Sequence, residues 1–141
     1  MSTQPLNKAA VLGAGSMGHG IAQLLAMTGT DVTLVDISDD ILAKAREKIQ
    51  WSIQKFVEKR TIRKEDADAA LARLHTSTNM DEAFKNADLV VEAAPENLEL
   101  KKKLFAQIDK IAPKHAILGS NTSTLSITEL GKVTSRPDKV V

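Results

Sequence analysis

Val11-Leu12-Gly13-Ala14-Gly15-Ser16-Met17-Gly18-His19-Gly20 carries its first three glycines in a G-x-G-x-x-G spacing. The apolar run 9–12 leads into it, and the helical apolar pattern Ile21, Leu24, Leu25 follows. The stretch therefore reads as strand, tight turn and helix. In that arrangement Gly13 permits the turn, and Gly15 leaves the backbone room to approach a pyrophosphate. Gly18 lets the helix pack closely on the strand. The helix beginning near Ser16 would offer unpaired N–H groups and the positive end of its dipole to the anion, with Met17 in its first turn. Six residues of this kind also occur in unrelated turns, so the surroundings decide.

A second apolar run, Val32-Thr33-Leu34-Val35, ends in Asp36, eighteen residues beyond Gly18. A dinucleotide-binding unit places there the carboxylate that holds the adenosine ribose hydroxyls. A glycine-rich turn beside an ordinary strand-end acid is the plainer alternative. It does not explain strand, glycines, helix, strand and acid in that order.

Outward from this unit, the pattern predicts an α/β chain with a parallel sheet and helices on both faces. Strands are expected over 8–12, 31–35, 75–78, 87–92 and 116–119, with Val140-Val141 opening a sixth. Helices are expected over 16–28, from the Ser38 cap to about Arg60, over 64–74, 81–85, from the Asn97 cap to about Ile111, and near 127–130. The stripe Ile41, Ala45, Ile49, Ser52, Ile53, Phe56, Val57 makes the second helix about 33 Å long at 1.5 Å per residue. That exceeds a simple crossover. It implies, with the helix after it, a helical hairpin arm protruding after the second strand.

Between Ile41 and Lys64 stand eight basic and two acidic residues, net +6 in a chain whose total is +1. The arm is then either a solvated face or an anion site for a phosphate-bearing substrate. Trp51, the only tryptophan, falls about 200° from Ile49 around the helix. It is expected to cover the partner helix, the alternative being stacking on a ligand ring.

Composition excludes more than it names. Among 141 residues 43% are hydrophobic and 26% charged, as in a soluble globular protein, and the near-zero net charge points to no nucleic-acid partner. There is no cysteine, so disulfides, thiolate metal sites and cysteine nucleophiles are excluded. No apolar run approaches a membrane span, and the N-terminus lacks a signal peptide's regions, so the expected location is cytoplasmic. Single-domain length is expected for 1–141.

Open parallel sheets bind ligands beyond the carboxyl ends of their strands. Those ends carry the glycine loop, Asp36, the loop 93–97 and the loop 120–123. Lys101, one turn after Asn97, can point back to the same crevice. Glu96, Lys101 and Ser123 each have plainer readings, respectively a loop acid, a solvated helix face and a hydroxyl bonding its own backbone. His19, His75 and His115 show no local acidic partner. His19 is expected near the phosphates, the other two at the surface or at strand ends.

Three blocks together, 11–18, Val90-Val91-Glu92-Ala93-Ala94-Pro95-Glu96-Asn97 and Ser120-Asn121-Thr122-Ser123-Thr124-Leu125, resemble the NAD-binding domain of the 3-hydroxyacyl-CoA dehydrogenases over essentially the whole chain. The resemblance implies a Rossmann-like fold, NAD as cofactor, and oxidation of (S)-3-hydroxyacyl-CoA by hydride transfer. It implies that Asp36 binds the adenosine ribose and that Ala93, Glu96 and Lys101 line the nicotinamide side. Ser123 would touch substrate oxygen and cofactor, and Ser52 and Lys59 would touch the CoA moiety. No metal enters. The family's catalytic His, in a His-Phe-Phe-Asn-Pro block, and its paired Glu are expected just after Val141. A helical domain that dimerises is expected later still. Two alternatives stay open at this stage. One is a free-standing NAD-binding or redox-sensing module. The other is a related 2-hydroxyacid or sugar-acid dehydrogenase, against which the basic arm and the third block argue.

Overall fold

Five short strands, β1 (Lys8–Leu12), β2 (Asp31–Val35), β3 (Leu74–Ser77), β4 (Leu89–Glu92) and β5 (Ile117–Ser120), form one parallel sheet in the order β3-β2-β1-β4-β5. This is seen in a computed structural model that describes residues 6–122 and 125–141. β1, β2 and β4 are largely apolar because the sheet is covered on both sides there, whereas the edge strand β3 exposes His75 and Thr76. Alternation along β1 divides it: Ala9 and Val11 enter one core, Ala10 and Leu12 the other. The sequence reading placed β3 one residue late. Leu74 is buried and opens the strand, pairing with Val32.

The first core lies under α1 (Ser16–Met27), α2 (Asp39–Glu58) and α3 (Lys64–Arg73). Gly29 takes a positive φ of 102° just past α1, which lets the chain turn directly into β2. Ser38 caps α2, its hydroxyl accepting from the Ile41 amide, and Asp39 and Asp40 complement the dipole. The 20 residues of α2 span about 30 Å. Its buried stripe is Leu42, Ala45, Ile49 and Ile53, packed with Ala67 and Ala70 of α3 and Ala22 and Ala26 of α1. Leu42 thus takes the buried place expected of Ile41, which is exposed. A helix advances 100° per residue, so Leu42 lies about 20° from Ile49 and Ile53, whereas Ile41 lies about 80° and 120° from them. Arg46 and Arg73 tie the hairpin down by donating to the carbonyls of Leu74 and Ala26 at 3.2 and 2.7 Å.

The second core lies under α4 (Met80–Phe84), α5 (Leu98–Ile111) and α6 (Ile127–Lys132), with Phe84, Phe105, Ile108, Leu118 and Leu130 at its centre. The sixth strand shrinks to one parallel bridge between Val140 and Leu118, because Pro137–Lys139 wind into a 3-10 turn just before it. Among the described residues no helix is long and apolar enough to cross a membrane.

Candidate functional site

The sheet order reverses between β1 and β4: the chain builds outward to β3, then crosses back over β1 to lay β4 and β5 on its other side. Loops leaving β1 and β4 diverge to opposite faces at such a point and leave a crevice between them. A cleft of about 680 Å³ opens there, within the roughly 300–1,000 Å³ of small-molecule sites. Gly13, Gly15, Ser16, Met17, Asp36, Ala93 and Asn121 all line it. The carboxyl ends of β1, β2, β4 and β5 thus contribute to one site.

The glycines do what their spacing demands. Gly13 sits at φ 107°, and a Cβ on it would come 2.7 Å from the Ala93 carbonyl oxygen. A Cβ on Gly18 would fall 1.7 Å from the Gly13 carbonyl oxygen, so α1 rests directly on the turn. At Gly15 a Cβ would meet nothing within 4 Å, and that open space is where a ligand can approach the backbone. Gly15 is also the N-cap of α1. It offers no side-chain acceptor, and the first turn holds no acid, so the leading N–H groups stay available to an anion. These features fit a dinucleotide pyrophosphate. His19 follows with its Nδ1 2.8 Å from the Gly15 carbonyl oxygen.

Asp36 is half-buried on the β2 side of the cleft. Its Oδ2 accepts from the Ala14 amide at 2.9 Å and its Oδ1 from the Ile37 amide at 2.7 Å. The carboxylate is held against the glycine loop by backbone alone. Beside it Ile37, 94% exposed, and Ile41 form an apolar lip, faced across the cleft by Leu100 and Leu104 of α5. That lining was not anticipated. The signal available was an isoleucine directly after the strand-end acid, where a turn would be expected to be polar.

The opposite wall is Ala93, Ala94 and Pro95, with a network behind it. Lys101 has no exposure, against its reading as a solvated helix face. Its ammonium donates to Glu92 Oε2 at 2.6 Å, to the Ala94 carbonyl at 3.1 Å and to Asn121 Oδ1 at 3.2 Å, with Glu96 Oε1 at 3.6 Å. The exposed Glu96 is brought to this corner by the turn that Asn97 closes when its side chain accepts from the Leu100 amide. Glu92, fully buried, is the partner that sequence reading passed over. A carboxylate ending an apolar strand, with a lysine nine residues on, was its trace in the sequence. Ser123 lies outside the described residues.

Ser52 and Lys59 stand apart from the cleft on α2. The Ser52 hydroxyl accepts from Gln23 Nε2 of α1 at 2.8 Å, and Lys59 is exposed at the helix end. Trp51 does not cover the partner helix. It is 66% exposed, with the Lys55 ammonium 5.4 Å from its ring centre, because its angular offset turns it to the solvent side.

The histidines find acids that are remote in sequence. His75 Nε2 lies 2.8 Å from Asp31 Oδ1, and His115 Nε2 2.8 Å from Asp88 Oδ1. Both pairs sit at the amino ends of strands, away from the cleft. Parallel strand pairing created them, so no local pattern announced them. Asp88 also accepts from the Asn7 and Lys8 amides, both at 3.0 Å. The His115 hydrogen bond, with these amides, holds its carboxyl below the ordinary 3.8 despite partial burial.

The family model described as the 3-hydroxyacyl-CoA dehydrogenase NAD binding domain matches residues 8–141. The chain is 45% identical over 134 residues to the mitochondrial hydroxyacyl-coenzyme A dehydrogenase of Rattus norvegicus, covering 92% of this chain and 43% of that one. It resembles the crystal structure of 3-hydroxybutyryl-CoA dehydrogenase from Escherichia coli with a TM-score of 0.93 and 37% identity, over 97% of this chain and 29% of that one. For (S)-3-hydroxybutyryl-CoA dehydrogenase from Ralstonia eutropha the TM-score is 0.90 at 41% identity, over 96% and 48%. The chain thus spans less than half the length of these relatives. With the family match covering the cleft, the glycine loop and the hairpin alike, the chain belongs to the NAD-binding domains of the 3-hydroxyacyl-CoA dehydrogenases.

Proposed function

We propose that this chain is the cofactor-binding part of an enzyme that oxidises (S)-3-hydroxyacyl-CoA to 3-oxoacyl-CoA. The carrying observation is the switch-point cleft, where the uncapped start of α1, the open face of Gly15 and the clamped Asp36 carboxylate meet. NAD, when bound, supplies the hydride acceptor. Asp36 is assigned to the adenosine ribose hydroxyls, and the leading amides of α1 to the pyrophosphate. Ala93, Glu96 and Lys101 take the nicotinamide side, and Ser123 the substrate oxygen and the cofactor. Ser52 and Lys59 are assigned to the CoA moiety, consistent with the basic outer face of α2. The assembled enzyme is a homodimer through a helical domain beyond this segment, and its location is cytoplasmic.

Oxidising the alcohol also requires a base for the hydroxyl proton. Among the described residues no histidine lines the cleft. His19 engages the Gly15 carbonyl, and His75 and His115 face acids at the far edge of the sheet. The 141 residues are therefore expected to bind NAD without turnover. Calorimetry should also show NAD preferred over NADP, since Asp36 would face the extra phosphate. One charge pair at about 4 Å is worth roughly 1 kcal/mol in water and 4 at an effective dielectric of 20. A preference near a hundredfold, about 2.7 kcal/mol, lies within that range. Equal affinities, or NADH appearing from 3-hydroxybutyryl-CoA at a rate typical of a complete enzyme, would overturn these assignments.

A further inference from the structure

α2 carries a large side chain that neither core uses. Trp51 is 66% exposed, while the helix meets α1 and α3 through Leu42, Ala45, Ile49 and Ile53. Four residues on, the Lys55 ammonium stands 5.4 Å from the centre of the indole ring. Four more bring Lys59, exposed at the end of the helix. Residues four apart are neighbours on a helix surface, so Trp51, Lys55 and Lys59 form one row, about 12 Å long. Ser52 flanks that row, about 20° from Lys59 around the axis.

Within about 80° of Trp51 around the axis, Lys44, Lys48, Lys55 and Lys59 are exposed, with Glu47 and Glu58 among them. Glu58 lies 3.3 Å from Lys55. That pair is open to water, and such pairs contribute little, so the ammonium is free to turn to a more highly charged anion. An ammonium covers at most one face of an indole, and a planar ring can stack on the other. The row therefore matches a ligand that joins an aromatic ring to phosphate. NAD is such a ligand, but its cleft is lined by Ile41, in the first turn of α2, and not by Trp51, about 15 Å further along the helix. The other ligand of the proposed reaction is the acyl-CoA, whose one aromatic ring is an adenine on a phosphorylated ribose. We propose that Trp51 is a substrate-binding residue. Its indole stacks on the CoA adenine, while Lys55, one turn on, meets the charge of the adjoining phosphates. This rests on assigning Ser52 and Lys59 to the CoA moiety, and it adds where the nucleotide end of CoA lies.

The chain has one tryptophan and no tyrosine, so its indole emission reports Trp51 alone. The 141-residue chain is titrated with two probes: CoA, and phosphopantetheine, which keeps the thiol arm but lacks the adenosine part. CoA is expected to quench Trp51 saturably, and phosphopantetheine to leave the emission unchanged. In calorimetry Trp51→Ala should bind CoA about tenfold more weakly, within the range of aromatic–base stacking, with phosphopantetheine unaffected. Trp51→Phe should recover most of the CoA affinity. Because Trp51 belongs to neither core, both variants should melt with the wild type. CoA that binds without quenching, or that binds Trp51→Ala as tightly as the wild type, overturns the stacking and leaves the assignment of Ser52 and Lys59 standing. Equal quenching by phosphopantetheine overturns it as well, since the purine would then be irrelevant. A wild-type chain that binds neither probe overturns the CoA assignment itself, and the stacking with it.

Discussion

Gly18 shows how little room a single residue leaves. A Cβ there would fall 1.7 Å from a backbone carbonyl oxygen that no rotamer change can move, so α1 would have to lift off the turn. Gly18→Ala is expected to destabilise by about 3 kcal/mol or more, at the upper end of overpacking costs. Gly20, two residues on in the same helix, is exposed, and a Cβ there would meet nothing within 4 Å. Gly20→Ala should therefore stabilise by up to about 1 kcal/mol through helix propensity, a rise of about 2–4 °C in Tm. Thermal melts of the two variants check this contrast. If Gly18→Ala melts with the wild type, the tight seating of α1 is wrong.

At the scale of an element, α5 depends on a residue far from it in sequence. Arg136, 6% exposed, donates through Nε to Asp109 Oδ1 at 2.8 Å. Its two remaining nitrogens donate to the carbonyls of Asp109, Ala112, Pro113 and Ala116. The planar fork closes the C-terminal end of α5, whose last carbonyls have no helical partner. Arg136→Ala would strand these acceptors and the Asp109 carboxylate, and should cost about 3–5 kcal/mol, as breaking a buried pair does. Arg136→Lys should recover only part, because a single ammonium cannot span the same acceptors. Urea unfolding of both variants measures it, and a loss under about 1 kcal/mol for Arg136→Ala would place the stability of α5 in its apolar face.

Over the whole molecule, Asp88 and Asp109 act as acid-sensitive fasteners. His115 and the Asn7 and Lys8 amides lower Asp88. Burial pushes Asp109 upward, but the Ser135 and Arg136 hydrogen bonds together outweigh it, and its carboxyl also lies below 3.8. A carboxyl held below its unfolded value contributes stability that is fully present above that value. The contribution is lost as pH falls through the folded value. Unfolding free energy should therefore fall progressively as pH drops below about 4. Asp88→Asn should be less stable than the wild type at neutral pH, with a shallower acid limb. Urea midpoints between pH 2.5 and 7 would show it. An unchanged acid limb in Asp88→Asn would remove Asp88 from the account.

The linear order of residues already carried the dinucleotide unit. A strand, three spaced glycines, a helix and a strand-end acid are all local, and period and turn chemistry encode local structure directly. The caps at Ser38 and Asn97 and the length of α2 were legible for the same reason. What needed tertiary structure was every relation across the sheet. Parallel pairing brought His75 to Asp31 and His115 to Asp88, and helix phase decided between Ile41 and Leu42 and turned Trp51 to solvent. Folding α5 back over β4 and β5 turned Lys101 from a residue among three surface-like lysines into the buried partner of Glu92. Burial and ion pairing are properties of three-dimensional neighbours, and partners on different elements, whether nine residues apart like Glu92 and Lys101 or 44 like His75 and Asp31, leave no periodic trace in a single chain.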